Sequence, residues 1–292
     1  MWQTLFLDEC QAKYPLAEGE LYPSCPMDYT KELSEEDLED QAVLLNAKEI
    51  TEFQALLGDC LWITMHTKPN VKYPVNFASR TVSPAPTLYD YLQALRIMHY
   101  CIGTKGVPRR IGGKFGAVLT ATVDSSFASH KDLKGQSCYT IHMGGGGAVA
   151  MDTKKQTLTP QSSTESEIYG NVFMLPKLIW SRNVCYELSY DQRSVMPKGT
   201  PVGKDNTSTM RIISNEVNTG KTKHMNLRLQ ALREALKEGV FQMFHLPTKD
   251  MISDIGTKAL PPGMFTHLSN YILGITTLDH FLQFFPSELL KQ

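Results

Sequence analysis

From Ile50 the apolar positions recur at spacings of three and four. Phe53, Leu56, Leu57, Cys60, Leu61 and Thr64 make one stripe of a helix over Ile50–Thr67. Pro69 ends it. A second helix is predicted from Val71 to Ser83, carrying Val75, Phe77, Ala78 and Val82, and Pro84 and Pro86 stop it. A third starts at Thr87, a residue able to cap, and runs through Tyr91, Leu95, Met98 and Ile102 to Gly103 and Gly106. The stretch Lys105 to Lys114 is glycine-rich and basic, so a domain boundary and a solvated linker are expected there.

Beyond that stretch the period changes to two. Ala117–Asp124 is rich in β-branched residues. Gly135–Met143 alternates, with Tyr139, Ile141 and Met143 on one face. Gly144 to Gly147 make a turn into a third strand over Ala148–Thr153. A helix follows Ser163, with Ile168, Val172, Leu175 and Ile179 on its stripe and Pro176 inside it, where a kink is expected. Then come a short strand ending at Asp205, a short helix over Thr207–Ser214 and a helix over His224–Glu238 striped by Met225, Leu229, Leu232 and Leu236. A strand over Val240–Leu246 precedes a last helix that starts near Lys249 and holds Ile252, Ile255 and Leu260. A meander leading into alternating strands and helices implies a mixed sheet flanked by helices.

Composition narrows the classes. The 292 residues are 42% hydrophobic and 20% charged, enough to bury a core in two domains. No run reaches the roughly 18 apolar residues of a membrane span, and the N-terminus has neither the basic lead nor the apolar run of a signal peptide. The six cysteines form no C-x-x-C pair, which disfavours a zinc site or a disulfide framework and points to reduced thiols. Net charge is −1 but uneven. Residues 1–50 carry 12 acids and 3 bases, a net of −9; the other 242 carry 26 bases and 18 acids, a net of +8. An acidic, proline-broken lead-in thus precedes a mildly basic body, which suits a phosphate backbone without requiring one.

Four acids stand where strands end or helices lie: Asp124, Glu167, Asp205 and Asp254. Singly, each could be a cap or a surface charge. Gathered at one sheet edge they would repel one another, and divalent cations would relieve that repulsion. Carboxylates suit Mg2+, and two such ions roughly 4 Å apart suit phosphodiester hydrolysis. In Ser162-Ser163-Thr164-Glu165-Ser166-Glu167-Ile168-Tyr169 a capping box fits Ser162 with Glu165 or Thr164 with Glu167, and local sequence does not choose. Gly144 to Gly147 lack the Lys-Ser/Thr of a phosphate loop, and no nucleophile elbow appears.

These stretches carry a resemblance. Asp124-Ser125, Gly144-Gly145-Gly146, Lys154-Lys155-Gln156, Ser162 to Tyr169, Asp205-Asn206, Thr222-Lys223-His224-Met225, Arg233-Glu234 and Leu246 to Lys258 resemble, in order and spacing, the RNase H domain of copia-type LTR retrotransposon polyproteins. Leu56-Leu57-Gly58-Asp59, Leu61-Trp62, Lys68-Pro69-Asn70-Val71 and Gly103-Thr104-Lys105-Gly106 resemble the family's segment between polymerase active site and RNase H. The resemblance implies an α/β, RNase H-like mixed five-stranded sheet flanked by helices over 115–275. A helical, reverse transcriptase thumb- or connection-like domain with its linker would occupy 48–114, a poorly ordered lead-in 1–47 and a tail 276–292.

The resemblance further implies a metal-dependent endoribonuclease that degrades the RNA strand of RNA/DNA hybrids during reverse transcription. Asp124, Glu167, Asp205 and Asp254 would hold two Mg2+ ions, with Mn2+ as substitute, and the second Glu of the motif, Glu167, would be the ligand. Asn206, Ser208, Lys223 and His224 would touch nucleic acid, although His224 fits a helix cap as well. The other implied partner is the remainder of a polyprotein, and the implied place is inside the cell: cytoplasm, nucleus or virus-like particle. The polymerase's Asp-Asp motif is absent from this chain, so polymerisation by it alone is not expected. Four departures stand out: Ser126 replaces a second Asp, Phe127 stands for the usual aromatic, Lys204 replaces a cysteine before Asp205, and Pro176 interrupts the helix. They leave open an inactive hybrid-binding or assembly module from a degenerate element.

Overall fold

In a computed structural model, residues 2–28, 35–130, 132–214 and 225–284 are described. The chain divides into two units, one of residues 1–109 with 259–267 and one of 110–258 with 268–292.

The first unit is helical. Residues expected as a poorly ordered lead-in form α1 (Trp2–Lys13), which packs on α5 (Leu88–Gly103) and buries Leu7 and Cys10. Tyr14 and Lys13 both donate to Asp59 Oδ2 at 2.8 Å. The acidic run contributes α2 (Glu35–Ala42). α3 (Ala47–His66) begins at a capping box of Asn46 and Glu49, three residues before the expected start at Ile50. Ile63 takes the buried place expected of Leu61, which is 44% exposed. α4 (Lys72–Ala78) is shorter than expected: Ser79 and Thr81 hydroxyls bond back to the Val75 and Ala78 carbonyls, a local alternative to further helix. Thr87 and Asp90 form the capping box of α5.

The second unit is, as expected, a mixed five-stranded sheet with flanking helices. β1 (Leu119–Ser126), β2 (Gln136–Met143) and β3 (Ala148–Lys155) form an antiparallel meander. β4 (Thr200–Lys204) and β5 (Phe241–His245) add parallel to β1, in the order β3-β2-β1-β4-β5. α6 (Ser163–Glu187), α7 (Gln192–Val195), α8 (Thr207–Ser214) and α9 (Asn226–Lys237) complete the alternation. The core joins Ala121, Val123, Tyr139 and Ile141 of the sheet to Ile168, Met174 and Leu178 of α6 and to Leu229 and Leu232 of α9. α6 runs unbroken through Pro176. Its packing along β1 and β2 outweighs one missing backbone bond.

Three further expectations are corrected here. The linker is structured: Arg110 donates to Leu273 O and Ile111 bridges Gly147. Glycines in 112–116 lie against glycines in 144–147 so closely that a Cβ on Gly113 would sit 2.1 Å from Gly144 O. The last helix near Lys249 is instead two 3₁₀ turns, Thr248–Asp250 and Ile252–Gly256, and the following helix is α10 (Pro262–Ile272). In the expected tail, a 3₁₀ turn over Asp279–Phe284 buries Phe281 edge-on to Phe244. All six cysteines are free and buried.

Candidate metal centre

β1 alternates between two faces. Val123 and Ser125 face α6, whereas Thr122 and Asp124 face the 3₁₀ turn at Ile252–Gly256. Thr257 Oγ1 donates to Asp124 Oδ2 at 2.8 Å and also contacts Asp254 O at 3.2 Å. Ser253 bonds Thr122, and Thr153 donates to Gly256 O, so side-chain bonds fix the turn over three strands. A Cβ on Gly256 would lie 2.2 Å from Cys138 Sγ, so only glycine permits this approach.

α6 brings in the second acid. Ser162 is its N-cap, accepting from Glu165 N at 3.1 Å. Glu165 accepts from Gln161 N at 2.7 Å and from the Tyr169 hydroxyl. This settles the choice local sequence left open: the helix starts after Ser162, and Glu165 closes its first turn one residue outside an ideal box. Ser166 donates to Ser126 O at 2.9 Å, and Gln156 bridges Ser166 to Ser137, tying the start of α6 to the sheet. Gly170 lies against β1, where a Cβ would meet Ser125 Oγ at 2.3 Å. That close approach delivers Glu167 to Asp124.

Asp205 follows the end of β4, half-buried, and accepts from Thr248 Oγ1 at 3.2 Å. One carboxylate oxygen each from Asp124, Glu167 and Asp205 lie within 4.8 Å of one another, the one such group among the described residues. Asp254 adjoins through Thr257, whose Oγ1 reaches both Asp124 Oδ2 and Asp254 O, and forms an ion pair with Lys258 at 2.7 Å. Burial, then the Asp124 carboxylate, push Asp254 up to about 7 against the pull of Lys258. Burial also pushes Glu167 up to about 7; Asp124 and Asp205 add to it, and Lys204 opposes it. Raised carboxyls held among carboxylates are what a cation would relieve.

The donor set is all oxygen and fits Mg2+ or Mn2+ better than zinc. A cation already stands in it. The Lys204 ammonium, fully buried, donates to Glu167 Oε2 at 2.6 Å and to Val123 O at 3.3 Å.

The structure thus places Asp124, Glu167 and Asp205 together and Asp254 beside Asp124. Asn206 caps α8, its Oδ1 accepting from Thr209 N at 2.9 Å, and Ser208 is exposed. Lys223 and His224 lie outside the described residues. Sequence reasoning missed Gly170, Thr257 and Lys258. It noted Lys204 only as a departure, although a lysine closing the apolar strand Pro201-Val202-Gly203 is a signal of a buried partner.

No family model matches the chain. Over 214 residues, 73% of this chain, it is 23% identical to the "Retrovirus-related Pol polyprotein from transposon TNT 1-94" of Nicotiana tabacum. Over 230 residues, 77% of the chain, it is 26% identical to that of transposon RE1 from Arabidopsis thaliana. Its homologues are retrotransposon Pol polyproteins. The chain spans only 16% and 15% of the length of these two polyproteins. Among solved structures it is similar to LC11-RNase H1 in complex with an RNA/DNA hybrid (10% identity, 48% of this chain and 93% of that one, TM-score 0.35). Another is a foamy viral protease-reverse transcriptase in complex with double-stranded DNA (12% identity, 74% and 35%, TM-score 0.43). At such scores the likeness adds nothing to the topology read from the strands. No helix among the described residues is long and apolar enough to cross a membrane.

Proposed function

We propose that the sheet unit is a metal-dependent endoribonuclease that cleaves the RNA strand of RNA/DNA hybrids during retroelement reverse transcription. The observation that carries this is the gathering of Asp124, Glu167 and Asp205 within 4.8 Å, with Asp254 linked to Asp124 through Thr257. These four acids would form the metal centre. Bound Mg2+, or Mn2+ in its place, supplies a Lewis acid that activates water and stabilises the leaving oxygen.

The chain's own residues set the stage. Thr257 orients Asp124, the Ser125 N–H and Lys204 fix the two oxygens of Glu167, and Lys258 holds Asp254. Such preorganisation avoids reorganisation during reaction. A hybrid would be read through its shape and 2′-hydroxyls. Asn206 and Ser208 follow Asp205 and would meet the hybrid's backbone, with the rest of a polyprotein as a further partner. The proposed setting is inside the cell, where reverse transcription of such an element would run.

One observation favours a second possibility. The Lys204–Glu167 pair already engages one carboxylate of the cluster, as it would in an inactive module that binds hybrid without turnover. A hybrid labelled on either strand, incubated with the chain and Mg2+, separates the two. RNA-strand fragments that vanish on chelation support the nuclease. Binding without fragments supports the inactive module.

A further inference from the structure

Lys204 is fully buried at the end of β4, a strand held between β1 and β5. A buried ammonium is costly unless paired, and this one is paired with Glu167 and steadied by the Val123 carbonyl. Both oxygens of Glu167 are therefore engaged, one by Lys204 and one by the Ser125 N–H at 3.3 Å. Lys258 differs. It is 48% exposed, so its bond to Asp254 is screened and its side chain can swing into solvent.

Charge bookkeeping over the site gives a definite count. Asp124, Glu167, Asp205 and Asp254 bring four negative charges when ionised. Lys204 and Lys258 return two positive ones. The remaining two are balanced by one divalent cation. Within the cluster Lys204 pairs with Glu167, whereas Asp124 and Asp205 each accept from a threonine hydroxyl on one oxygen and offer the other to a cation.

Resting on the proposed nuclease, we infer that this centre takes a single divalent cation, on Asp124 and Asp205, and that the Lys204 ammonium is a built-in cation holding the second place at Glu167. Lys204 acts as a positioning residue for Glu167 and for charge balance. It lowers the demand for metal from two ions to one.

The test is a count of Mn2+ ions by electron paramagnetic resonance on the full chain near neutral pH. Acids elsewhere bind Mn2+ weakly, so the count that matters is the number of ions lost on introducing Asp124→Asn. In the wild-type background the expected loss is one. In a Lys204→Met background, which keeps the aliphatic length without the charge, the expected loss is two. Far-UV circular dichroism checks that each variant is folded. A loss of two ions in wild type overturns the inference without needing any Lys204 variant. So does a loss of one in both backgrounds, and either result leaves the metal-dependent nuclease standing. A loss of none in folded protein overturns both the inference and the proposed metal centre.

Discussion

Among the described residues two lysines are fully buried, one in each unit, and they are held in different ways. In the helical unit, Lys68 donates to backbone carbonyls, Thr104 O at 2.5 Å and Val107 O at 3.4 Å, and burial keeps its pKa below the ordinary lysine value. It staples the turn after α3 to the turn that closes α5. In the sheet unit, Lys204 donates to a carboxylate at 2.6 Å within a cluster of acids. Carbonyl dipoles need no counter-cation, so Lys68 completes a structural joint. A carboxylate among carboxylates needs cations, so Lys204 belongs to a charge-balanced centre.

The largest effect concerns the centre itself. Asp124→Asn is expected to reduce cleavage of hybrid RNA by on the order of 10²-fold or more, measured as initial rate at saturating Mg2+, whereas Lys68→Met leaves the rate per folded molecule unchanged. A Lys68→Met rate loss of similar size would break the comparison.

Stability sharpens it next. Lys204→Met strands a buried carboxylate and is expected to cost about 3–5 kcal/mol in chelator, much of it recovered on adding Mg2+. Lys68→Met strands two carbonyls and is expected to cost roughly 1–3 kcal/mol, with no recovery. Urea midpoints with and without Mg2+ measure both; equal Mg2+ responses would refute the distinction.

The third expectation concerns pH. Glu167 and Asp254 have folded pKa values raised to about 7, above those of ordinary carboxyls. Unfolding therefore releases protons between the ordinary carboxyl range and pH 7. The stability these groups contribute is full below that range and lost as pH rises through about 7. In chelator, the sheet unit should be less stable at pH 8 than at pH 5, and Mg2+ should shrink the difference. A rise in stability from pH 5 to 8 would contradict the burial of these acids.

The smallest effects are in α6. Gly170→Ala places a methyl against Ser125 Oγ, and overpacking of roughly 1–3 kcal/mol is set against about 1 kcal/mol of helix propensity. Glu165→Gln is expected to cost on the order of 1 kcal/mol and little activity; Glu167→Gln should show the reverse weighting.

How much of this was legible in sequence follows from the kind of information each feature uses. The period-two and period-3.6 patterns gave the meander and α6, because one buried face leaves a visible stripe. Asp205 and Asp254 stood out because acids interrupt apolar stretches. The choice between Glu165 and Glu167 was not local: it needed the Ser166 and Gly170 contacts that set how α6 meets β1. Likewise Gly112 and Gly113 read as part of a linker, since packing of one glycine loop on another leaves no periodic signal. Residues near Lys249 read as a helix, since short 3₁₀ turns share the helical spacing of Ile252 and Ile255.

The most direct measurement is cleavage of a hybrid labelled on its RNA strand, comparing wild type with Asp205→Asn under Mg2+. Wild-type protein is expected to cut the RNA only when Mg2+ is present, and Asp205→Asn, folded by circular dichroism, to cut at least about 10²-fold more slowly. No cleavage by folded wild type, or equal cleavage by the variant, would contradict a nuclease centred on these acids.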